Sequence, residues 1–303
     1  KSSTLRAIMG LVAKSNGKKI AVIGSGPSGL SCAFYLQKKG YSVTVFEETS
    51  KIGGMLVLGL PAYRLPREIF EKELDVYRSM GVKFETNKKL GVDFTLESLR
   101  DMGFVAVYMG VGSHGERKLG IPGEEYPNVL SGVRFLRSIN LGEQIDLKGK
   151  SVIVVGGGNV AIDCARSAIR LGAEKVGLYC LEKLDEMPAH EWEVQECCSE
   201  DAEVNCSWSP MEIKGDSNGV KSVVFRKCLS VFNKEGRFAP VCDDSQTMEV
   251  DADFVIVAIG QSLDDSFQEK LEERIERRGN AFAATYDGNT NIPYLFAGRS
   301  ECI

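Results

Sequence analysis

A glycine-rich turn between an apolar strand and an apolar helix constrains the fold of this chain more than any other feature. Residues 19–23 read Lys-Ile-Ala-Val-Ile and run straight into Gly24-Ser-Gly-Pro-Ser-Gly29. An apolar helix over residues 30–39 follows, Gly40 ends it, and the next β-branched strand covers Ser42–Phe46. This order of strand, glycine turn, helix and strand predicts a complete βαβ unit.

The spacing of the glycines matches the fingerprint of a dinucleotide-binding site. Gly24 makes the tight turn, Gly26 lets the backbone approach a pyrophosphate, and Gly29 lets the helix pack closely on the strand. The helix N-terminus then offers amide donors to the phosphates. Strand two ends at Glu47, whose carboxylate can accept hydrogen bonds from ribose hydroxyls. We therefore expect a dinucleotide at Gly24, Ser25, Gly26, Pro27, Ser28, Gly29 and Glu47; a purely structural glycine turn is the alternative.

The same unit occurs a second time, about 130 residues later. A strand over residues 150–155 leads into Gly156-Gly-Gly158 and a helix over residues 159–171, and the strand Lys175–Tyr179 follows. The third fingerprint position is here Ala161. Two fingerprints suggest a flavin and a nicotinamide, because one protein then holds both the donor and the acceptor of hydride. The alternative is a degenerate duplicate that binds nothing.

The remaining segments place one nucleotide-binding domain inside the other. Short alternating segments between residues 204 and 250 predict an antiparallel meander, and residues 253–260 and 292–298 return to buried strands. We therefore predict an α/β fold with two nested Rossmann-like dinucleotide-binding domains. The predicted boundaries are 17–125 with 256–303 for the first domain, 126–255 for the inserted second domain, and 1–16 for an N-terminal lead-in.

Composition excludes several classes of function. The net charge is −5 and no long basic run occurs, which argues against nucleic acid and anionic membranes as partners. No run of about 18 apolar residues is present, so we expect no membrane insertion. The nine cysteines form no Cys-x-x-Cys pair, which indicates reduced thiols in the cytoplasm. The two histidines, His114 and His190, lie far apart, and we expect no metal site. We expect His114 in a surface loop; a position beside the flavin, near the glycine-rich turn after Met109, is the alternative.

Two segments are more distinctive than either fingerprint: Gly59-Leu-Pro-Ala-Tyr-Arg64-Leu-Pro66 and Glu186-Met-Pro-Ala189. Together with Gly53-Gly54, Leu119-Gly-Ile-Pro-Gly123 and the start of the second nucleotide helix, they resemble the glutamate synthase small subunit family. That family includes the NAD(P)H–FAD module of dihydropyrimidine dehydrogenase and the large subunit of electron-bifurcating transhydrogenases. The resemblance covers nearly the whole chain, from about residue 18 to Gly298.

The resemblance implies a fold of the glutathione reductase type with FAD in the first domain. Residues 24–29 would face the FAD pyrophosphate and Glu47 the adenosine ribose. Gly54 and Arg64 would lie on the flavin side, although Arg64 could equally be a solvent-facing loop residue. Gly110 and Gly298 are also expected to contribute to cofactor binding.

The resemblance further implies NAD(P)H in the second domain. The expected contacts come from the second fingerprint and from the strand that closes the site: Gly156, Gly158, Asn159, Val160, Glu182, Ala258 and Gly260. Asp163 and Arg166 lie one turn apart on the same helix, and a local ion pair is as good an interpretation as a ligand contact.

For function, the resemblance implies direct hydride transfer from the nicotinamide to the flavin, so we expect no catalytic acid or base. Electrons would pass on to iron–sulfur centres of a partner domain or catalytic subunit in a hetero-oligomeric complex. Relative to the family, the chain looks truncated at both ends. The sequence begins after the position of the family's iron–sulfur domain, and Arg299 follows Gly298 where the family has Gly-Asp and a flavin-packing helix. We therefore expect either that the sequence is a fragment or that part of the FAD site is supplied elsewhere.

Three other functions stay open. A thioredoxin-reductase-like disulfide reductase would need a redox cysteine pair beside the flavin, and a flavin monooxygenase would act on oxygen and an organic substrate. The third is a non-catalytic flavin-binding scaffold subunit of a larger complex. Fold similarity alone does not decide among them.

The choice of nicotinamide depends on the end of the second strand in the second unit. Cys180 and Leu181 stand where many family members have paired basic residues, and Glu182 can accept from the 2′-hydroxyl of NADH. Ala161 argues the other way, since alanine at that position is often seen with NADP, and Lys183 is a nearby cation. We give the missing positive charges more weight and favour NADH.

Overall fold

The computed structural model describes residue 8 and residues 17–264, 266–279 and 281–298. The predicted lead-in at 1–16, apart from Ile8, and residues 299–303 of the predicted first domain lie outside the described residues. The described residues divide into two compact units: one contains those up to Gly115 and those from Ser262 onwards, and the other contains Glu116–Gln261. The second unit therefore extends further on both sides than the range 126–255 drawn from the sequence.

The strands alternate with helices in the first half of the chain and follow one another in the second half. In chain order they are β1 (Lys19–Ile23), β2 (Ser42–Phe46), β3 (Lys83–Glu85), β4 (Phe104–Met109), β5 (Gly115–Glu116), β6 (Val129–Ser131), β7 (Ser151–Val155), β8 (Lys175–Tyr179) and β9 (Glu203–Asn205). They continue with β10 (Trp208–Asp216), β11 (Gly219–Phe232), β12 (Phe238–Asp251), β13 (Phe254–Val257), β14 (Gln261–Ser262), β15 (Arg277–Arg278), β16 (Ala281–Phe282) and β17 (Leu295–Ala297).

The helices connect the parallel strands. They are α1 (Pro27–Lys38), α2 (Met55–Leu58), α3 (Arg67–Ser79), α4 (Leu96–Asp101), α5 (Gly132–Leu141), α6 (Asn159–Arg170) and α7 (Glu191–Ser199), with 3-10 helices at Leu184–Glu186 and Ser266–Lys270. Helix α1 begins at Pro27, earlier than predicted, because proline suits the first turn of a helix and Gly26 precedes it as the N-cap. Among the described helices, none combines the length and apolarity needed to cross a membrane.

A parallel sheet in the order β17-β4-β1-β2-β3 forms the centre of the first unit. Alternate side chains of β1 enter different apolar clusters: Ala21 and Ile23 pack with Val107, whereas Ile20 and Val22 pack in another cluster. Since successive side chains of a strand point to opposite faces, both faces of this sheet are buried. Sheets of this kind are typical of α/β folds with helices on both faces.

The second unit contains a parallel sheet in the order β6-β13-β7-β8-β9 and an antiparallel sheet in the order β10-β11-β12. The predicted meander is present, but its strands are longer than expected, since β11 and β12 each have 14 residues. Their pairing shifts register at three places, beginning between Arg226 and Lys227. Each shift interrupts the two-residue alternation, which is why the sequence reads as several short strands.

Candidate functional site

The turn between β1 and α1 has no room for side chains at two of its three glycines. Gly24 has a φ of +94°, and a Cβ there would overlap the carbonyl oxygen of Gly110. A Cβ on Gly29 would overlap the carbonyl oxygen of Gly24. A Cβ on Gly26, in contrast, would meet nothing within 4 Å. Side chains therefore have no room at Gly24 and Gly29, whereas the space beside Gly26 is open. A phosphate group of a ligand can approach the protein backbone at Gly26.

Helix α1 begins directly after this open position. Gly26 is its N-cap, Pro27 occupies the first turn, and no side chain caps the helix. The first amides of an α-helix lack carbonyl partners within the helix, and the helix dipole gives this end a partial positive charge. The arrangement suits a phosphate group at Ser28 and Gly29.

A cavity of about 370 Å³ lies along this turn in the first unit. Its lining contains eight residues predicted as cofactor contacts: Gly24, Ser25, Gly26, Pro27, Ser28, Glu47, Gly54 and Gly110. It also contains residues that the sequence did not single out as ligand contacts, among them Lys88, Lys89, His114, Asp264 and Ser266. Most of the lining follows the carboxyl ends of β1, β2, β3 and β4, and ligands of parallel α/β sheets bind at that edge. Asp264 and Ser266 follow β14, which is not a strand of this sheet.

Glu47 lines the cavity with a carboxylate that is only 5% exposed. Its Oε2 accepts hydrogen bonds from the amide and the hydroxyl of Ser25, at 3.1 and 2.6 Å. Its Oε1 accepts from the amide and the hydroxyl of Thr49, both at 2.9 Å. Glu47 thus faces the predicted site and at the same time ties the glycine turn to the segment after β2.

Gly54 lies against the fingerprint turn. It has a φ of +52°, and a Cβ there would stand 2.8 Å from the Cα of Gly26. The short helix α2 that follows is held by Arg67, whose guanidinium donates to the carbonyl oxygens of Leu56 and Val57 at 2.9 and 3.0 Å. The sequence reading missed Arg67 and named Arg64, which is half-buried and outside the lining of the cavity. Contact between Arg64 and a flavin stays a prediction.

His114 was expected in a surface loop, but it is half-buried and lines the cavity. Its Nδ1 is buried and has no hydrogen-bond partner in the described part of the chain. Burial acts to raise the pKa of the nearby Asp264, but hydrogen bonds from Ser266 and the charges of Lys89 and His114 lower it. The surface-loop expectation was wrong because the loop after β4 lines the same cavity as Asp264, Ser266 and Phe267 from a distant part of the sequence.

The second fingerprint repeats the geometry of the first. Gly156 has a φ of +140°, and a Cβ there would overlap the carbonyl oxygen of Ala258. A Cβ on Gly158, the N-cap of α6, would meet nothing within 4 Å. Ala161 is fully buried where α6 packs on the turn, and Val160 is 36% exposed. An open glycine at a helix N-terminus is again the arrangement that admits a phosphate.

The Glu-Met-Pro-Ala segment packs onto this second turn. The amide of Ala189 donates to the carbonyl oxygen of Gly157 at 3.0 Å, and the amide of His190 donates to Oδ1 of Asn159 at 3.1 Å. Asn159 therefore has a structural role in addition to the predicted cofactor contact. Gly260 has a φ of +105°, and a Cβ there would lie 3.7 Å from the Arg117 side chain.

At the carboxyl end of β8, the half-buried Glu182 is close to the second turn. Its Oε2 lies 2.7 Å from the position that a Cβ on Gly157 would take. The side chain of Cys180 is buried, whereas Lys183 is exposed and pairs with Glu186 at 3.5 Å. A carboxylate is thus the charged group nearest to the turn at this strand end.

None of the described residues that line the cavity is a cysteine. Burial raises the pKa of Cys32, Cys164 and Cys180, and it raises the pKa of Cys197 to about 12. These side chains are therefore thiols at neutral pH and poor nucleophiles. Among the described residues, no three His, Cys, Asp or Glu side chains group as metal ligands.

The basic residue of the second nucleotide helix is part of an ion-pair network. Arg166 pairs with Glu196 at 2.5 Å and with Glu200 at 2.6 Å, both at α7 or its end. Arg170 joins the same Glu200 carboxylate. Burial acts to raise the pKa of Glu200, but hydrogen bonds from both arginines lower it. The network fastens α6 to α7 and gives Arg166 a structural role.

Comparison with known proteins identifies the relationship. The family model of pyridine nucleotide-disulphide oxidoreductases matches residues 18–298. The NADP(+)-dependent formate dehydrogenase subunit beta of Moorella thermoacetica is 40% identical over 291 residues, which are 94% of this chain and 41% of that protein. The glutamate synthase [NADPH] small chain of Escherichia coli is 32% identical over 303 residues, covering 94% of this chain and 64% of the relative.

The fold also matches solved structures. Mycobacterium tuberculosis FprA in complex with NADPH superimposes with a TM-score of 0.77 at 19% identity, over 93% of this chain and 78% of that one. These findings confirm the resemblance to the glutamate synthase small subunit, the α/β fold with two dinucleotide-binding domains and the oxidoreductase class. The chain spans less than two thirds of the length of either curated relative. From residue 18 to residue 298, this chain belongs to the pyridine nucleotide-disulphide oxidoreductase family.

Proposed function

We propose that this chain binds FAD in its first unit and NAD(P)H in its second, accepts hydride from the nicotinamide on the flavin, and forwards electrons to iron–sulfur centres of a partner. The proposal rests on the two glycine turns. In each turn the first glycine has no room for a side chain, and the glycine at the helix N-terminus borders open space. A chain with two such turns can hold a donor and an acceptor of hydride together.

The residues of the first unit fit FAD. Gly26 leaves room for a pyrophosphate, α1 offers its N-terminal amides, and Glu47 presents a carboxylate at the end of β2. Gly54 packs closely against Gly26, and Gly110 packs closely against Gly24 and Gly29. Bound FAD would supply the capacity to take up a hydride and release single electrons. Gly298 is not among the residues that line the cavity. Its amide donates to the carbonyl oxygen of Met109, the residue before Gly110, at 3.2 Å.

The residues of the second unit fit a nicotinamide dinucleotide. Gly158 leaves the phosphate position open, and the amides that begin α6 point to it. Glu182 lies at the end of β8, where the adenosine ribose of a nucleotide bound to such a fold is held. Gly156 and Ala258 hold the turn in place through close backbone packing.

We favour NADH over NADPH. The two curated relatives named above carry NADP(+) or NADPH in their names, which argues against this preference, so it rests on this chain's own residues alone. In this chain a carboxylate, Glu182, stands against the turn, and Lys183 is paired with Glu186. A carboxylate accepts a hydrogen bond from a 2′-hydroxyl but repels a 2′-phosphate.

We propose a protein partner with iron–sulfur centres as the acceptor on the strength of the family, and the residues of this chain argue against the disulfide alternative. A disulfide reductase would need reactive cysteines beside the flavin, and the described lining of the cavity has none. The curated relatives are themselves named as a subunit and a small chain. We also propose a reducing compartment, the cytoplasm, because eight described cysteines are free thiols.

Anaerobic spectroscopy tests the proposal. The protein should carry about one FAD, and NADH should bleach the flavin absorbance within one turnover time. A yellow protein that NADH does not bleach would be the scaffold subunit instead, and heat-released FMN would contradict the FAD assignment. Fast oxidation of the reduced flavin by oxygen, with hydroxylation of an organic substrate, would indicate a monooxygenase.

A further inference from the structure

The hydroxyl of Ser25 joins three segments around the predicted FAD site. Ser25 is fully buried at a fingerprint position where the pattern itself specifies no residue. Its Oγ donates to Oε2 of Glu47 at 2.6 Å and accepts from the amide of Gly53 at 2.9 Å. One hydroxyl thus connects the glycine turn, the end of β2 and the turn before α2.

The carboxylate of Glu47 is fixed from both sides. A carboxylate has about four acceptor positions. Ser25 and Thr49 each direct an amide and a hydroxyl to it, one residue to each oxygen. Rotation of the Glu47 side chain would break two of these charge-assisted hydrogen bonds at once. These four hydrogen bonds fill the acceptor positions and set the plane of the carboxylate, so a ribose hydroxyl would share a carboxylate oxygen with one of the two side-chain hydroxyls.

The same hydroxyl positions the turn at residues 53 and 54. Gly53 has a φ of +128° and Gly54 a φ of +52°, and Gly54 packs against Gly26. Without the Ser25 hydroxyl, the amide of Gly53 would lose its acceptor in a buried place. Such an amide is costly, so the backbone would shift to find another partner. A shift there would move Gly54 relative to Gly26 and narrow or widen the phosphate opening.

We propose that Ser25 is a positioning residue for the adenosine half of FAD, which it serves by holding Glu47 in the orientation that receives the ribose hydroxyls. The inference rests on the proposed binding of FAD. The role of Ser25 in orienting Glu47 differs from a purely structural role in what can be measured. A misoriented Glu47 weakens ligands with ribose hydroxyls more than a ligand without them, whereas a shifted phosphate opening weakens both equally.

The test uses apoprotein and three ligands: FAD, ADP and 2′,3′-dideoxy-ADP. Wild-type protein should bind ADP about tenfold more tightly than the dideoxy analogue, since hydrogen bonds to a charged acceptor are strong. In Ser25→Ala, the Kd for FAD should rise about tenfold and the preference for ADP should fall to about threefold or less. Thr49→Ala, which releases the other carboxylate oxygen, should reduce the same preference and carries the test if Ser25→Ala does not fold.

Ser79→Ala is the matched control, since it also removes a serine hydroxyl bond, at the exposed end of α3 and away from the cavity. It should change neither the FAD affinity nor the ADP preference. Equal weakening of both ADP ligands in Ser25→Ala and Thr49→Ala would overturn the inference in favour of a purely structural role. So would wild-type protein that binds FAD without preferring ADP. Wild-type protein that binds no FAD would instead contradict the proposed function.

Discussion

A carboxylate oxygen of Glu182 lies 2.7 Å from the position that a Cβ on Gly157 would occupy. The acid that ends β8 therefore stands directly against the second glycine turn. The parallel pairing of β7 with β8 brings both strand ends to one edge of the sheet. If an adenosine ribose binds at this edge, its 2′ substituent would lie next to the Glu182 carboxylate.

The first prediction is a preference for NADH. With an artificial acceptor, kcat/KM for NADH should exceed that for NADPH by about tenfold, or about 1.4 kcal/mol. Glu182→Gln removes the negative charge and should reduce the preference to about threefold or less. Asp185→Asn, an exposed acid in the adjoining 3-10 helix, is the control and should leave the ratio unchanged. A tenfold preference for NADPH in the wild-type protein would overturn this reading.

The second prediction concerns a positive charge introduced just after β8. Leu181 is half-buried and Cys180 is buried, so an added arginine is accommodated better at position 181. Leu181→Arg should shift the ratio towards NADPH by ~1–3 kcal/mol if it forms ordinary charge-assisted hydrogen bonds with the 2′-phosphate. The measurement is kcat/KM for both donors. An unchanged ratio would mean that the 2′ position lies elsewhere.

Substitutions at two glycines of the first turn should have different effects, one on ligand binding and the other on stability. Gly26→Val projects into open space, so the protein should keep its melting temperature and lose FAD. Gly29→Ala places a methyl group on the carbonyl oxygen of Gly24 and should lower stability by ~1–3 kcal/mol. Thermal melting of the apoproteins and the flavin content of the purified proteins check both effects. A yellow Gly26→Val protein would contradict the location of the pyrophosphate.

No cysteine should be needed for electron transfer. Single changes of Cys32, Cys164 and Cys180 to alanine should leave NADH-dependent dye reduction largely intact, because burial raises the pKa of each thiol and none lines the cavity. The exposed Cys198, changed to alanine, serves as the control for expression and purification. Complete loss of activity with FAD retained, in any one variant, would indicate a disulfide mechanism.

Arg67 should stabilise the segment after Gly54. Arg67→Met removes the donors to the carbonyl oxygens of Leu56, Val57, Leu60 and Leu65, and unpaired acceptors cost ~1–3 kcal/mol. We expect a lower melting temperature and faster loss of FAD on dilution. Arg78→Met, which breaks exposed ion pairs with Glu71 and Asp75, should cost less than ~1 kcal/mol. Equal effects of the two changes would count against the specific role of Arg67.

The sequence by itself determined both fingerprints, the parallel strands that precede them and the family. The reason is local: Gly24, Gly29 and Gly156 each stand where a side chain would collide with a neighbouring backbone carbonyl, so the glycine pattern and the fold require each other. Nearly continuous apolar strands such as β1 and β7 likewise indicate a sheet buried on both faces. Signals of this kind need only a few consecutive residues.

Only the tertiary structure decided which distant residues complete the site. His114 and Asp264 are separated by 150 positions yet line one cavity, because β4 and the segment after β14 reach the same edge of a sheet. Ser25 holds Glu47 only because β1 and β2 pair in register, with Ile23 opposite Phe46. Arg67, which the sequence did not single out, supports α2 because helix α3 turns its first residue back onto it. Such contacts depend on how elements pack across the fold, and residue spacing along the chain carries no information about them.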